Sequence, residues 1–344
     1  MRRYASLIAA MGLVACDGSS DDDGPPPPPP SGSWTVELDG ADGAMLGVSS
    51  LGGDAGLISV GGPTVGDGPP SFFHRPPSAT SWQAEAVPDD WRGAMWWTWV
   101  AAPDDIWVVG DNLQVARGAV GALERVEVQD AATATTATLF GVWGAGADDV
   151  WMVGGSVGRA DGARGVLLRY DGVRVRRVNL TGTASVAHAH TLFKVWGTGP
   201  DDVMIVGSEG FAMHYNGRTF EIVDTRTRSR LLTVHGRSQF EMYAVGGVVS
   251  GEVLRWDGFG FRDISDPFMP PLNGVFAGPD DRVWVCGVSG YVAWREDGRW
   301  NEVETGVLKG FHGVMGLDGE GFAVGGLLSR GEGPRQGLIG RFGR

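Results

Sequence analysis

The fifteen residues Gly141-Val142-Trp143-Gly144-Ala145-Gly146-Ala147-Asp148-Asp149-Val150-Trp151-Met152-Val153-Gly154-Gly155 read as two short strands joined by an acidic turn. The phrase returns as Val195-Trp196-Gly197-Thr198-Gly199-Pro200-Asp201-Asp202-Val203-Met204-Ile205-Val206-Gly207. It returns again as Val275-Phe276-Ala277-Gly278-Pro279-Asp280-Asp281-Arg282-Val283-Trp284-Val285-Cys286-Gly287, with weaker copies from Val48, Thr98, Val234 and Val314. One large residue in the second strand marks each copy: Ile58, Trp107, Trp151, Met204, Tyr243, Trp284 and Phe322. These markers lie 38–53 residues apart. That is the spacing of propeller blades and not of leucine-rich or ankyrin repeats.

Around the phrase each unit extends to four strands. In the third unit they are a (139–143), b (149–153), c (166–170) and d (173–178). Between c and d stand Asp171-Gly172, Asn216-Gly217, Asp257-Gly258 and Asp297-Gly298, which predict type I′ hairpins with both central residues at positive φ. Strand d tends to open with an aromatic, as at Trp82, Phe220, Phe261 and Trp300. The seventh unit ends after strand c, whereas a surplus d-type strand, Ser33–Leu38, precedes the first unit. Residues 33–38 are therefore expected to complete the last blade, anchored by burial of Trp34 and Val36. Closing the ring removes the open interface of a linear array. The expected fold is all-β: a seven-bladed propeller of four-stranded antiparallel blades over residues 33–344.

Composition agrees. Gly supplies 57 of 344 residues, a level that disfavours helical bundles because Gly costs about 1 kcal/mol relative to Ala within a helix. Aromatics at 10 % argue against disorder over most of the length. The formal net charge is −13, so nucleic acid, which rewards clustered Lys and Arg, is a poor partner.

The first residues read differently. Arg2 and Arg3 precede an apolar stretch, Tyr4–Val14, too short for the roughly 20 residues that span a bilayer. Leu13-Val14-Ala15-Cys16 resembles a bacterial lipoprotein signal, which implies removal of residues 1–15 and a lipid (palmitate-bearing) anchor on Cys16. Residues 16–32 then form an acidic, proline-rich linker, with Pro25–Pro30 favouring an extended polyproline II stalk. The expected address is the bacterial cell envelope, tethered to a membrane and facing the periplasm or the exterior. With Cys16 lipidated, Cys286 has no disulfide partner and is expected to be a small buried apolar group.

The repeat resembles the β-propeller blades of bacterial surface proteins with W-G-x-x-x-x-D-V-W-x-V-G…Y-D-G wording. It is also similar to kelch blades, through Gly154-Gly155, Gly246-Gly247 and Gly325-Gly326. That resemblance implies the fold and leaves activity open, since propellers serve many functions. The chain has no sialidase-type Asp box, quinone-dehydrogenase tryptophan motif, or WD40 pairing of Gly-His with Trp-Asp.

Trp107, Trp151 and Trp284 recur at one repeat position and are expected to fill the gaps between blades. The paired acids Asp104-Asp105, Asp148-Asp149, Asp201-Asp202 and Asp280-Asp281 fall in the a–b turns, where Asp is expected to accept backbone N–H bonds. Trp97 takes the place held by Gly141 and Gly313 elsewhere, which marks it as a ligand-binding candidate. His188 and His190 are the others; an alternating pair can present two imidazoles on one face, but no further ligand spacing completes a metal site. No phosphate loop, nucleophile elbow or His-Glu-x-x-His motif is present, so no catalytic residue, metal or cofactor is assigned.

The d–a and b–c connections share one face of such a propeller. Gly61–Ser71, Asp111–Gly121, Gly154–Gly165, Asn179–Thr191 and Gly325–Gly337 read as long loops there, and variable loops on a rigid scaffold carry binding. The leading expectation is a monomeric binding or scaffolding module for a protein or carbohydrate (glycan) ligand. The alternative is an envelope polysaccharide hydrolase or lyase, with Asp67, Asp111 or Asp161 and His188 gathered at the channel mouth.

Overall fold

In each blade an inner strand turns back through an acidic a–b turn, and glycine closes most of the second strands. The computed structural model describes residues 32–129, 137–156, 165–328 and 335–343. Cys16, the leader and Asp161 lie outside them. Seven sheets result, six antiparallel ones of four strands and one of five in which a parallel strand joins four antiparallel ones. The innermost strands are Ala44–Ser50, Met95–Ala102, Thr138–Gly146, Leu192–Gly199, Leu231–Ser238, Leu272–Ala277 and Gly310–Leu317. They surround a central channel.

The seam lies where the sequence placed it. Strand Ser33–Asp42 pairs antiparallel with Arg335–Gly343 as the outer strand of blade seven, Ser33 opposite Gly343 and Trp34 opposite Phe342. It runs four residues past the expected Leu38, and its anchorage differs from expectation. Trp34 lies against Gly340 and meets Phe311 edge-on at 5.4 Å, but Val36 is 44 % exposed. A register shift between Val36 and Leu38 turns the strand, and Leu38 and Ala41 join the core in its place. Glu37 is buried there among Arg341 (3.0 Å), Arg75 (3.3 Å) and the indole N–H of Trp82, which donates to it at 2.9 Å. The carboxylate thus ties blade seven to blade one.

Trp107, Trp151 and Trp284 are at most 1 % exposed and pack between blades, as the repeat position required. Cys286 is likewise buried, and burial pushes its thiol above the usual range. The acidic residues after the a–b turns act otherwise than expected. Asp149 receives two N–H bonds from Arg169 on the next strand, at 2.6 and 2.9 Å, and Asp105 is held the same way by Arg117. Asp202 takes His214 at 2.6 Å. Each guanidinium also covers the tryptophan of its own blade, Arg169 at 4.5 Å from Trp151 and Arg117 at 4.8 Å from Trp107. The acid therefore orients a cation over an aromatic face, an arrangement worth about 0.5–2 kcal/mol, instead of capping backbone donors.

Two further expectations change. Only Asp297-Gly298 has both turn residues at positive φ; at Gly172, Gly217 and Gly258 the glycine alone does. Asp171, Asn216 and Asp257 instead accept two backbone N–H bonds through their side chains and keep ordinary φ. Asp111–Gly121 is no loop: after a tight turn through Asn112 and Leu113, both at positive φ, it contains strand Val115–Ala119. Blade three gains a fifth strand, Val128–Gln129, parallel to Val175–Arg177.

Candidate functional site: a two-mouthed channel

The inner strand of every blade carries one β-bulge at the same place, between Met45 and Gly47, Met95 and Trp97, Leu139 and Gly141, Leu192 and Lys194, Leu231 and Thr233, Leu272 and Gly274, and Phe311 and Gly313. A bulge inserts one residue and re-aims it. The inserted residues are Leu46, Trp96, Phe140, Phe193, Leu232, Asn273 and His312, and all seven line one cavity of about 240 Å³ at the mouth nearer the d–a loops. Three positions later come Ser49, Trp99, Trp143, Trp196, His235, Phe276 and Met315. All seven of these line a second cavity of about 410 Å³, opening toward the a–b turns. The seven-fold register turns one sequence position into a ring.

The larger mouth is aromatic in blades two to six. Trp196, His235 and Phe276 succeed one another with ring centroids 5.3 and 4.5 Å apart. Several of these rings rest on a glycine of the next blade: Trp99 on Gly144, Trp143 on Gly197 and Trp196 on Gly236. A Cβ at Gly197 or Gly236 would stand 2.8 Å from the indole, so a larger residue there would push the ring away. The recurrent Trp-Gly dipeptide is therefore both halves of an inter-blade contact, a meaning that one blade's sequence does not disclose. His235 accepts the Ala277 N–H at 3.2 Å; burial first, then the Arg237 charge, lower its pKa to about 3, so it is neutral.

Between the mouths lies the bulge-closing ring, Gly47, Trp97, Gly141, Lys194, Thr233, Gly274 and Gly313. Trp97 and Lys194 are its only large members. The Lys194 ammonium nitrogen sits 3.2 Å from the Trp97 ring centroid and donates to the Phe140 carbonyl at 3.1 Å. Lys194 is 7 % exposed, and burial holds its pKa well below the usual lysine range. Both residues line both cavities. Trp97 is thus a channel residue, at the same register position as Gly141 and Gly313.

His188 and His190 lie elsewhere, in and just after the 3₁₀ helix Gly182–Ala189 between blades three and four. His188 Nδ1 is 3.3 Å from the Gly165 carbonyl, and His190 stacks on Phe211 at 4.6 Å. Neither lines a channel cavity, so the structure does not bring them to Trp97. Asp111 accepts from the Ala94 N–H, the Trp96 indole and the Thr138 hydroxyl, which joins blades two and three. Asp67 is exposed, and neither it nor Asp111 lines the channel. Among the described residues no three His, Cys, Asp or Glu side chains gather as a metal site.

With this geometry the chain is similar to several solved propellers. A structure of YCF48 bound to D1 peptide is 13 % identical with a TM-score of 0.63, covering 90 % of this chain and 96 % of that one. YCF48 from Cyanidioschyzon merolae gives the same identity and TM-score, with 98 % of that chain covered. The WD40 repeats of RRP9 are 10 % identical with a TM-score of 0.65, over 90 % of this chain and 97 % of that one. No family model and no curated protein matches the chain. At such identities the likeness carries the fold alone: the chain folds as a seven-bladed, WD40- or kelch-like β-propeller.

Proposed function

We propose that the propeller is a non-catalytic binding module for an extended protein segment, held on a membrane of the cell envelope through a lipid on Cys16. The observation that carries the binding role is the 410 Å³ aromatic mouth, open to solvent and pre-formed by inter-blade packing. Concave, aromatic-lined and rigid surfaces are where binding energy concentrates. On the same face, blade five exposes Phe240 (54 %) and Phe259 (91 %) in its two turns, so apolar surface extends outward from the mouth. Similarity to a propeller bound to a peptide agrees with this reading. The acidic body disfavours nucleic acid. The basic n-region, short apolar core and Ala15-Cys16 junction support the anchor, and the proline run would hold the propeller clear of the surface.

A peptide library selected on the full-length protein tests the binding role. Selected peptides should bind Trp196→Ala at least tenfold more weakly than wild type; equal binding by the folded variant would sink this reading. Membrane fractionation tests the anchor, because Cys16→Ala should be released or left unprocessed. Equal membrane association with an unchanged N-terminus would remove the lipid.

A further inference from the structure

The smaller mouth is not a miniature of the larger one. Trp96, Phe140 and Phe193 form an aromatic arc on one side, with ring centroids 4.9 and 5.6 Å apart. Asn273, His312 and the exposed Arg230 lie on the other side, and Lys194 forms the floor. Although the chain is rich in acidic residues, no Asp or Glu among the described residues lines this cavity. Five of the seven blades fill the Lys194 position with Gly or Thr, so the fold itself does not require a long basic side chain there. Lys194 uses one of its three donors on Phe140, faces Trp97, and contacts no carboxylate among the described residues.

We infer that this mouth is a binding site for a small carboxylate carried on an aromatic or compact apolar body, with the carboxylate on Lys194 and Arg230 and the body against Trp96, Phe140 and Phe193. Desolvating a lone amine is unfavourable, and a carboxylate brought beside it restores the charge that burial suppresses. The His312 Nε2–H donates to the Gly326 carbonyl at 3.1 Å, and burial lowers its pKa to about 4, so the imidazole is neutral. The cavity of about 240 Å³ limits the body to roughly one aromatic ring and a short chain. Its aromatic wall is separate from that of the opposite mouth, although Trp97 and Lys194 border both cavities.

Calorimetry on the full-length protein in detergent decides the matter with four probes: phenylacetate, phenylacetamide, and an octapeptide ending in Phe with either a free or an amidated terminus. Phenylacetate should bind saturably and phenylacetamide at least tenfold more weakly. Lys194→Met, which replaces a buried amine by an apolar group of similar length, should fold and weaken phenylacetate at least tenfold without affecting the amide. Arg230→Gln, an exposed change, should weaken the acid severalfold, and Trp196→Ala should leave it unchanged. Binding of only the free-terminus peptide would identify a chain end as the source of the carboxylate and uphold the site. Equal affinity for acid and amide, full acid binding by Lys194→Met, or no saturable binding of any probe would overturn it.

Discussion

Blade three and blade seven are built to one plan but joined differently. In blade three all four antiparallel strands follow in sequence, and the charged pair Asp149–Arg169 lies within one hairpin, partly open to solvent. In blade seven the outer strand comes from the other end of the chain, and its acid, Glu37, is only 5 % exposed between two arginines and an indole N–H. A local pair needs little more than its turn to form. The distant one must offset loop closure over some 310 positions. Among the described ion pairs, the most buried carboxylate therefore stands where local connectivity contributes least.

Removing the seam tests this contrast most severely. A chain beginning at Gly43 should lose several kcal/mol of stability and expose the blade-seven edge, appearing as a lower melting temperature and as self-association in light scattering. A monomer as stable as the intact propeller would refute closure as a source of stability. Glu37→Ala takes the shared buried carboxylate from Arg75, leaves Arg341 with Glu320 only, and should cost about 3–5 kcal/mol in denaturant unfolding. Acidification should act next. His235 and His312 are held neutral by burial, with pKa values lowered to about 3 and 4, so below about 6.5 the unfolded chain binds protons that the folded chain refuses. Stability should fall as pH drops from 6.5 toward 4, by at most about 1.4 kcal/mol per pH unit for each histidine, and His235→Gln should flatten the slope. The smallest effect belongs to the local pair. Asp149→Ala should cost about 0.5–1.5 kcal/mol, since solvent screens it and the arginine can remain over Trp151. A loss as large as that of Glu37→Ala would erase the distinction between seam and blade.

Periodic features were legible in the sequence because the blade phrase returns seven times. Blade number, the buried tryptophans and the missing outer strand all follow from counting. Features that depend on which blade faces which were not. Trp97 stood out as a departure from glycine, but its partner Lys194 lies in another blade, two units on, and no local pattern links them. The fifth strand Val128–Gln129 is two residues long and pairs parallel to a neighbouring unit, below any sequence signal. Asp149 was expected to bond its own turn because turn-forming Asp usually does so. The arginine on the facing strand competes with a stronger, bidentate interaction. The His188 and His190 spacing suggested convergence, whereas the 3₁₀ helix that carries them sends each to a separate contact.

The seam also sets a timetable for synthesis. Ser33 and its partner Gly343 lie 310 positions apart, so at about 5–20 residues per second the first strand waits roughly 15–60 s for its mate. Throughout that interval Trp34 and Glu37 have neither Gly340 nor Arg341 to receive them. A chain broken off before Arg335 cannot shut. Strand Arg335–Gly343 therefore acts as a proofreading step, and only a molecule translated through it can close its ring.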